Sequence, residues 1–302
     1  KNILDHQDCV AVPTETVYGL AANAYSDKAV KKIFKLKKRP QNNPLIVHYH
    51  NIDDLKRDCE INSDFLKLYK KFSPGPITYV LNLKKTSKIS KFATNNKSTL
   101  AVRFPKHNLM RKLLKLLKYP LAAPSANLST KVSSVCFQDV KDDFGNKLKF
   151  ILDGGRASVG VESTIISLVN KPQILRLGGL EVSSIENCLN KKLRLKLNSK
   201  KISSPGQMKL HYSPGIPIRL NIKKPNKNEA YLLLKKRNNL KDNYYYLSNK
   251  GNLKEAIKNL YRTLRKIKKD NFKSLAVERI KNQGLGETIN DRLLRASKFN
   301  AK

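Results

Sequence analysis

The run Pro13-Thr14-Glu15-Thr16-Val17-Tyr18-Gly19-Leu20 sets hydroxyls and a carboxylate directly after a short apolar stretch, Cys9-Val10-Ala11-Val12. A strand that stops at proline and turns polar places such groups at a sheet end, where open α/β sheets keep their ligands. The same Thr and Glu residues serve equally as caps on whatever follows. Lys37 and Arg39, in Lys37-Lys38-Arg39-Pro40, can present cations to phosphate, Arg39 through its planar fork. They also complement the negative end of a helix. Asn43, Thr78, Ser125 and Asn127 carry donors for phosphate or ribose oxygens and are equally turn formers. No Ser-His-Asp or Cys-His arrangement stands out, and the five histidines make no ligand cluster. His48 and His50, two apart, would point the same way on a strand.

These residues need a frame. Asp27 to Lys38 has the spacing of an amphipathic helix with Val30, Ile33 and Phe34 inward, stopped by Pro40. Pro44 to Tyr49 is a strand, Phe65, Leu68, Tyr69 and Phe72 stripe the next helix, and Ser73-Pro74-Gly75-Pro76 is a turn. Ile77 to Leu83 and Leu100 to Phe104 are strands, followed by a helix over 107–117 with Leu109, Leu113 and Leu116 on one face. Ala122-Ala123 feeds Pro124-Ser125-Ala126-Asn127, and Phe150-Ile151-Leu152 feeds Asp153-Gly154-Gly155. Ser163 to Ile166 and Ile174 to Gly179 add two strands. From Lys191 the text turns basic and Ser/Asn-rich, a linker. Beyond it, strands at Ala230 to Leu234, Tyr244 to Leu247 and Ser274 to Val277 alternate with a helix over 252–268, inward at Ile257, Leu260, Leu264 and Ile267, and a final helix after Gly286.

The expected organisation is therefore an α/β domain over 1–190, a linker over 191–214 and a smaller α/β domain over 215–302. A chain of 302 residues with 40% hydrophobic content supports two cores. No run approaches the stretch of about 20 apolar residues that spans a bilayer. The start at Lys1 lacks a charged-then-apolar leader, and four widely spaced cysteines suit isolated thiols, so a cytoplasmic location is expected. The net charge of +38 attracts phosphates of any kind. Because Lys and Asn are spread along the chain, that charge fits a codon bias as well as selection for RNA.

Seven blocks resemble, in order across roughly two-thirds of the chain, the YrdC-like domain of threonylcarbamoyl-AMP synthases. They are the opening octapeptide; Lys37-Lys38-Arg39-Pro40; Asn43-Pro44-Leu45 with His48; Pro74-Gly75-Pro76-Ile77-Thr78; Val102-Arg103-Phe104-Pro105; Pro124-Ser125-Ala126-Asn127; and Val161-Glu162-Ser163-Thr164-Ile165 with Leu175-Arg176-Leu177-Gly178-Gly179. Pro205-Gly206, His211-Tyr212-Ser213-Pro214 and the closing Gly284-Leu285-Gly286 with Asp291-Arg292-Leu293 resemble the two-domain form of the family. The resemblance implies a YrdC-like twisted open mixed sheet with helices around a basic cleft, plus a smaller Rossmann-like α/β C-terminal domain. It also implies a reaction joining L-threonine, bicarbonate and ATP into threonylcarbamoyl-AMP with release of pyrophosphate. The product would pass to a partner transferase that modifies tRNA next to the anticodon.

Carried over residue by residue, the family pattern puts Thr16, His48, Arg103, Ala123 and Ser163 around threonine or its carbamate. It puts Lys37, Arg39, Asn43, Thr78, Ser125, Asn127, Ser133, Arg176 and Tyr212 around ATP, with Tyr212 a lid. Arg103 is the natural carboxylate partner. Mg²⁺ is expected with ATP, with Glu15 and Glu162 as nearby carboxylates. Lys38 stands where the family usually has Gly, Ser129-Thr130 where Ser-Gly is common, and the leading helix is short. The competing readings are a non-catalytic double-stranded RNA-binding or ribosome-assembly protein, and a carbamoyl-adenylate enzyme of the kind found in larger multidomain proteins. The first would not need Thr16, Arg103 and Ser163; the second would carry a zinc finger, for which no cysteine spacing exists here.

Overall fold

The computed structural model describes residues 1–197, 211–238 and 241–298. Pro205-Gly206 and much of the expected linker lie outside them. The chain opens with α1 (Asn2–Asp5), β1 (Val10–Val12) and β2 (Gly19–Asn23), then α2 (Asp27–Lys37), β3 (Ile46–His48), α3 (Ile52–Lys56) and α4 (Ser63–Phe72). Next come β4 (Ile77–Asn82), α5 (Lys91–Thr94), β5 (Thr99–Arg103), α6 (Asn108–Leu116), β6 (Leu121–Ala122) and α7 (Phe137–Phe144). β7 (Thr164–Ser167), β8 (Gln173–Arg176), α8 (Val182–Leu189) and β9 (Arg194–Leu195) complete the first sheet. Its order is β1-β2-β6-β3-β5-β4-β7-β8-β9. The β3–β5, β4–β7 and β8–β9 pairs are parallel and the others antiparallel. This is the open mixed sheet expected.

The opening octapeptide is the bend between two paired strands, with Val10 opposite Ala21 and Val12 opposite Gly19. β2 escaped the sequence reading because Gly-Leu-Ala-Ala lacks the β-branched residues that mark strands. α2 begins where the Ser26 side chain accepts the Ala29 N–H, and buries Ala29, Val30, Ile33 and Phe34 as expected. α6 turns a different face inward. Met110 and Leu114 are buried, Leu109 and Leu113 half-buried, and Leu116 is 63% exposed. The two stripes share residues on adjacent rows, so leucine spacing alone did not choose between them. His50 does not follow His48 into one face either, because β3 ends at His48 and the alternation ends with it.

The second sheet, β10 (Ile218–Arg219), β11 (Ala230–Lys235), β12 (Tyr244–Ser248) and β13 (Leu275–Val277), is parallel throughout, in the order β10-β13-β11-β12. α9 (Leu253–Lys269) crosses from β12 to β13 and buries Ile257, Leu260, Leu264 and Ile267 as its period requires; α10 (Leu285–Ala296) follows. The core around α9 runs on into Val17, Val132, Val135, Ala157 and Val161 of the first region. Backbones meet there: a Cβ on Gly160 (φ +83°) would lie 2.5 Å from the Lys258 carbonyl oxygen. Arg265 donates to the Val132 carbonyl (2.6 Å) and to Asp143 (2.7 Å), and Thr288 to the Gly178 carbonyl (3.0 Å). Among the described residues no helix is long and apolar enough to cross a membrane.

Two departures from the family pattern fall where glycine has a physical advantage. Lys38 caps α2 with φ +49° and Thr130 sits at φ +70°, both left-handed. A Cβ there costs about 1–2 kcal/mol, part of which glycine returns through its freer unfolded chain. Lys38→Gly and Thr130→Gly are each expected to raise stability by up to about 1 kcal/mol, read from the denaturation midpoint. Gly178 shows the opposite case. A Cβ there would lie 2.3 Å from the backbone of Ser163 and Thr164. Gly178→Ala is expected to cost about 1–3 kcal/mol and to displace the Ser163 strand; an unchanged midpoint would mean that strand yields freely.

Candidate active site

Three strands bring one row of polar side chains to the cleft. Arg103 on β5 stands opposite Thr78 on β4 and beside His48 on β3. Directly paired residues on neighbouring strands share a face, so the row is a consequence of register. Thr78 Oγ1 and Ser163 Oγ are 2.7 Å apart, and Arg176 at the end of β8 donates to the Ser163 carbonyl (Nε 3.0 Å, Nη2 2.8 Å) and hydroxyl (3.1 Å). Arg103 is held from below: its Nη2 donates to Glu15 Oε1 at 2.8 Å, both side chains are under 10% exposed, and Glu15 Oε2 accepts the Lys106 N–H at 3.0 Å.

Thr14, Arg39, His48, Arg103, Ala123, Ser125, Ser163, Arg176, Glu162 and Tyr212 line a cavity of about 40 Å³. That is room for about three waters. Of the residues expected to contact threonine, His48, Arg103, Ala123 and Ser163 reach it. Thr16 stands behind, its hydroxyl 2.8 Å from that of Thr14, which occupies the wall instead. Of those expected at ATP, Arg39, Ser125, Arg176 and Tyr212 reach it. Lys37, Asn43, Thr78, Asn127 and Ser133 form the layer behind.

That layer has its own logic. The Lys37 amine is buried and donates to the carbonyls of Ser125 and Asn127, tying α2 to the Pro124–Asn127 turn. Burial, then the charge of Arg39, hold it well below the usual lysine range. The Asn127 amide secures the same turn through the carbonyls of Leu128 and Lys131 (2.8 and 2.9 Å). Ser133 donates to Glu162 Oε1 at 2.5 Å. Arg39 is also buried, yet its donors meet only the carbonyls of Asn43 (3.2 Å) and Pro44 (3.0 Å). Among the described residues no carboxylate pairs with it. Burial pulls it down to about 9, so it stays charged at neutral pH.

Tyr212 is fully buried, its hydroxyl has no hydrogen-bond partner, and its backbone is left-handed (φ +63°), a conformation rare for a bulky residue. Ser213 clips the segment down, donating its N–H to the Thr130 carbonyl and accepting that of Val132. Three neighbours complete its surroundings: His211, and Arg292 on α10, both motif residues in the sequence without a role at the site, and Tyr261 on α9, which the sequence reading did not single out. For Arg292 a signal existed. It shares the face that buries Leu285, Ile289, Leu293 and Ala296, and a charge on an apolar stripe announces a buried partner.

The first region matches a family model described as Telomere recombination (residues 2–178), and residues 180–298 match that of the threonylcarbamoyl-AMP synthase C-terminal domain. The threonylcarbamoyl-AMP synthase of Pyrococcus abyssi is 35% identical, covering 96% of this chain and 90% of its own. That of Schizosaccharomyces pombe is 37% identical, over 85% of this chain and 69% of its own. The crystal structure of P. abyssi Sua5 complexed with L-threonine superposes with a TM-score of 0.90 at 32% identity, covering 98% of this chain and 92% of that one.

His48 and His211 are buried. Burial pushes each down to about 3, with Arg103 adding at His48, and Arg39 and Lys37 adding against Glu162 at His211. Unfolded, both titrate near about 6.5. With the folded value the lower one, their contribution to stability is complete above about pH 6.5 and is lost as pH falls towards 3. The denaturation midpoint should therefore drop between about pH 6.5 and pH 5, and His48→Gln should flatten the slope. A slope that His48→Gln leaves unchanged would show that the His48 ring does not contribute to it.

Proposed function

The chain belongs to the threonylcarbamoyl-AMP synthase family, in its two-domain form, and we propose that the cleft joins L-threonine, bicarbonate and ATP into threonylcarbamoyl-AMP and pyrophosphate. The threonine amine and bicarbonate form a carbamate with loss of water. A carbamate oxygen then attacks the α-phosphorus of ATP, and pyrophosphate leaves as the bond between the α- and β-phosphates breaks. This makes the enzyme a nucleotidyltransferase. The protein needs no nucleophile of its own; it must position, neutralise charge and keep water from a labile carbamate.

The buried Arg39, whose charge among the described residues meets carbonyls and no carboxylate, carries this reading. A desolvated cation facing a cleft is stabilised by an arriving anion, and the triphosphate is that anion. Arg176 and Ser125 flank it, Asn127 secures the turn after Ser125, Thr78 and Ser133 hold the Ser163 and Glu162 side chains, and Asn43 offers a donor to the nucleotide. Lys37 acts by holding the Ser125 and Asn127 carbonyls in place. Arg103, braced by Glu15, takes the threonine carboxylate, while His48 and Ser163 serve the hydroxyl and carbamate, Thr16 acts from behind through the Thr14 hydroxyl, and Ala123 gives a wall. His48 acts as a neutral ring. The P. abyssi relative bound to L-threonine supports the amino-acid assignment.

A cavity of about 40 Å³ cannot hold both substrates, so the segment carrying His211 and Tyr212 moves for entry and closes afterwards. Mg²⁺ would be held mainly by the nucleotide's own phosphates. Glu15 and Glu162 are already committed to arginine partners, so phosphate oxygens and water supply most of its ligands. When bound it screens phosphate charge. The product passes to a transferase acting on tRNA, and the net charge of +38 suits direct contact with RNA. Four free thiols fit the cytoplasm.

The test is pyrophosphate release from ATP and Mg²⁺, with mass spectrometry for the adenylate. Release should require both L-threonine and bicarbonate, and Arg39→Ala should lower kcat/KM for ATP about 10²–10³-fold in a folded protein. No release from folded protein that binds RNA tightly would favour the non-catalytic RNA-binding reading.

A further inference from the structure

Resting on the synthase reading, we infer that Arg292 and Tyr261, from the C-terminal helices, are positioning residues for the reaction, acting through Glu162. Glu162 directly precedes Ser163, and both of its carboxylate oxygens are taken. Oε1 accepts from Ser133 at 2.5 Å; Oε2 accepts from Tyr261 at 2.8 Å and from Arg292 Nε at 3.1 Å. Arg292 is 0% exposed, with its remaining donors on the Leu177 carbonyl (2.6 Å) and Asp291 (2.5 Å). Its guanidinium carbon lies 4.6 Å from the Tyr212 ring centroid, and Tyr212 stacks on Tyr261 at 5.8 Å and 20°. One guanidinium therefore balances the carboxylate under the cleft and seats the ring above it.

Stability alone gives little reason for this arrangement, since apolar residues of similar volume commonly serve as well as a buried ion pair. What the pair does fix is where Glu162 stands and that it stays charged. Burial pushes its carboxyl up, and Arg292, Arg176, the Ser133 hydrogen bond and His211 together outweigh this and bring it down to about 2. His211 and Tyr212 from the linker end and Ser133 and Arg176 from the catalytic region are the other polar groups facing it. With Arg292 gone, the largest influence opposing burial is lost, and the Glu162 carboxyl is expected to rise towards the working pH range.

The experiment is the pH profile of kcat/KM for L-threonine in the full chain, for wild type, Arg292→Met and the double variant Glu162→Gln/Arg292→Met. Arg292→Met is expected to acquire an acidic limb, losing about tenfold per pH unit as one group titrates; the double variant should lack it. A folded Arg292→Met protein with unchanged kcat, KM and profile overturns the role, as does a loss equal at every pH. Should Arg292→Met not fold, Tyr261→Phe carries the same test in milder form, since it removes one hydrogen bond to Glu162 and keeps the ring; a Tyr261→Phe profile without a limb then overturns the role. Wild-type turnover, measured first, separates the two levels. A wild type that releases no pyrophosphate overturns the synthase reading and this role with it, whereas an active wild type with an undisturbed variant overturns this role alone.

Discussion

Charge taken out of water must be answered, and the rest of this structure follows from how that is done. Lys37, Arg39, Arg103, Arg176 and Arg292 are all under 10% exposed around one cleft. Arg103 has Glu15, and Arg292 has Glu162 and Asp291. Among the described residues Lys37 and Arg39 meet only carbonyl dipoles; burial holds the Lys37 amine well below the usual lysine range, and it is Arg39 that keeps its charge. Carbonyl oxygens satisfy donors without cancelling charge, so the cleft keeps a positive potential that pairing would have abolished. The catalytic potential is thus set by which cations are denied a carboxylate.

The carbonyls that do this are on turns, and the turns are held by the sheet. Pro124 at the end of β6 accepts the Leu20 N–H, Ala126 donates to Tyr18, and Lys37 closes the loop from α2. Gly178 packs its Cα against the backbone of Ser163 while Gly179 donates to the Glu162 carbonyl at 2.9 Å. Ser125, Glu162 and Ser163 therefore rest on main-chain contacts in which small residues let two segments approach. Such sites are rigid because their support is backbone, whose freedom was already removed by the sheet.

Much of this was legible from residue types. The strands carrying Thr78, Arg103 and His48, the helix ending at Lys37 and three of the four strands of the second sheet follow from apolar period and turn residues, whereas the two-residue β10 was too short to show. The motif blocks located most of the cleft residues. Illegible were the features set by long-range pairing. Small residues hid β2, leucines on adjacent rows of α6 suggested the wrong face, and His50 left the strand that His48 ends. Lys37 was legible as a cation and not as a clamp, because its partners are main-chain carbonyls that any sequence supplies. Tyr261 was hidden as one more aromatic on an apolar stripe, a position that ordinarily means core.

Glu162 and Arg292 are 130 residues apart in the chain. During synthesis the N-terminal sheet can form as soon as it emerges, at a few residues per second, while α10 is still unmade. Until α10 docks, the Glu162 carboxylate has no guanidinium, and burying it would be costly. Drying of the seam therefore goes with the docking of α10. With the cleft's counter-ion 130 residues downstream of its carboxylate, a product that stops short of α10 would carry the motifs of the first region without the finished cleft.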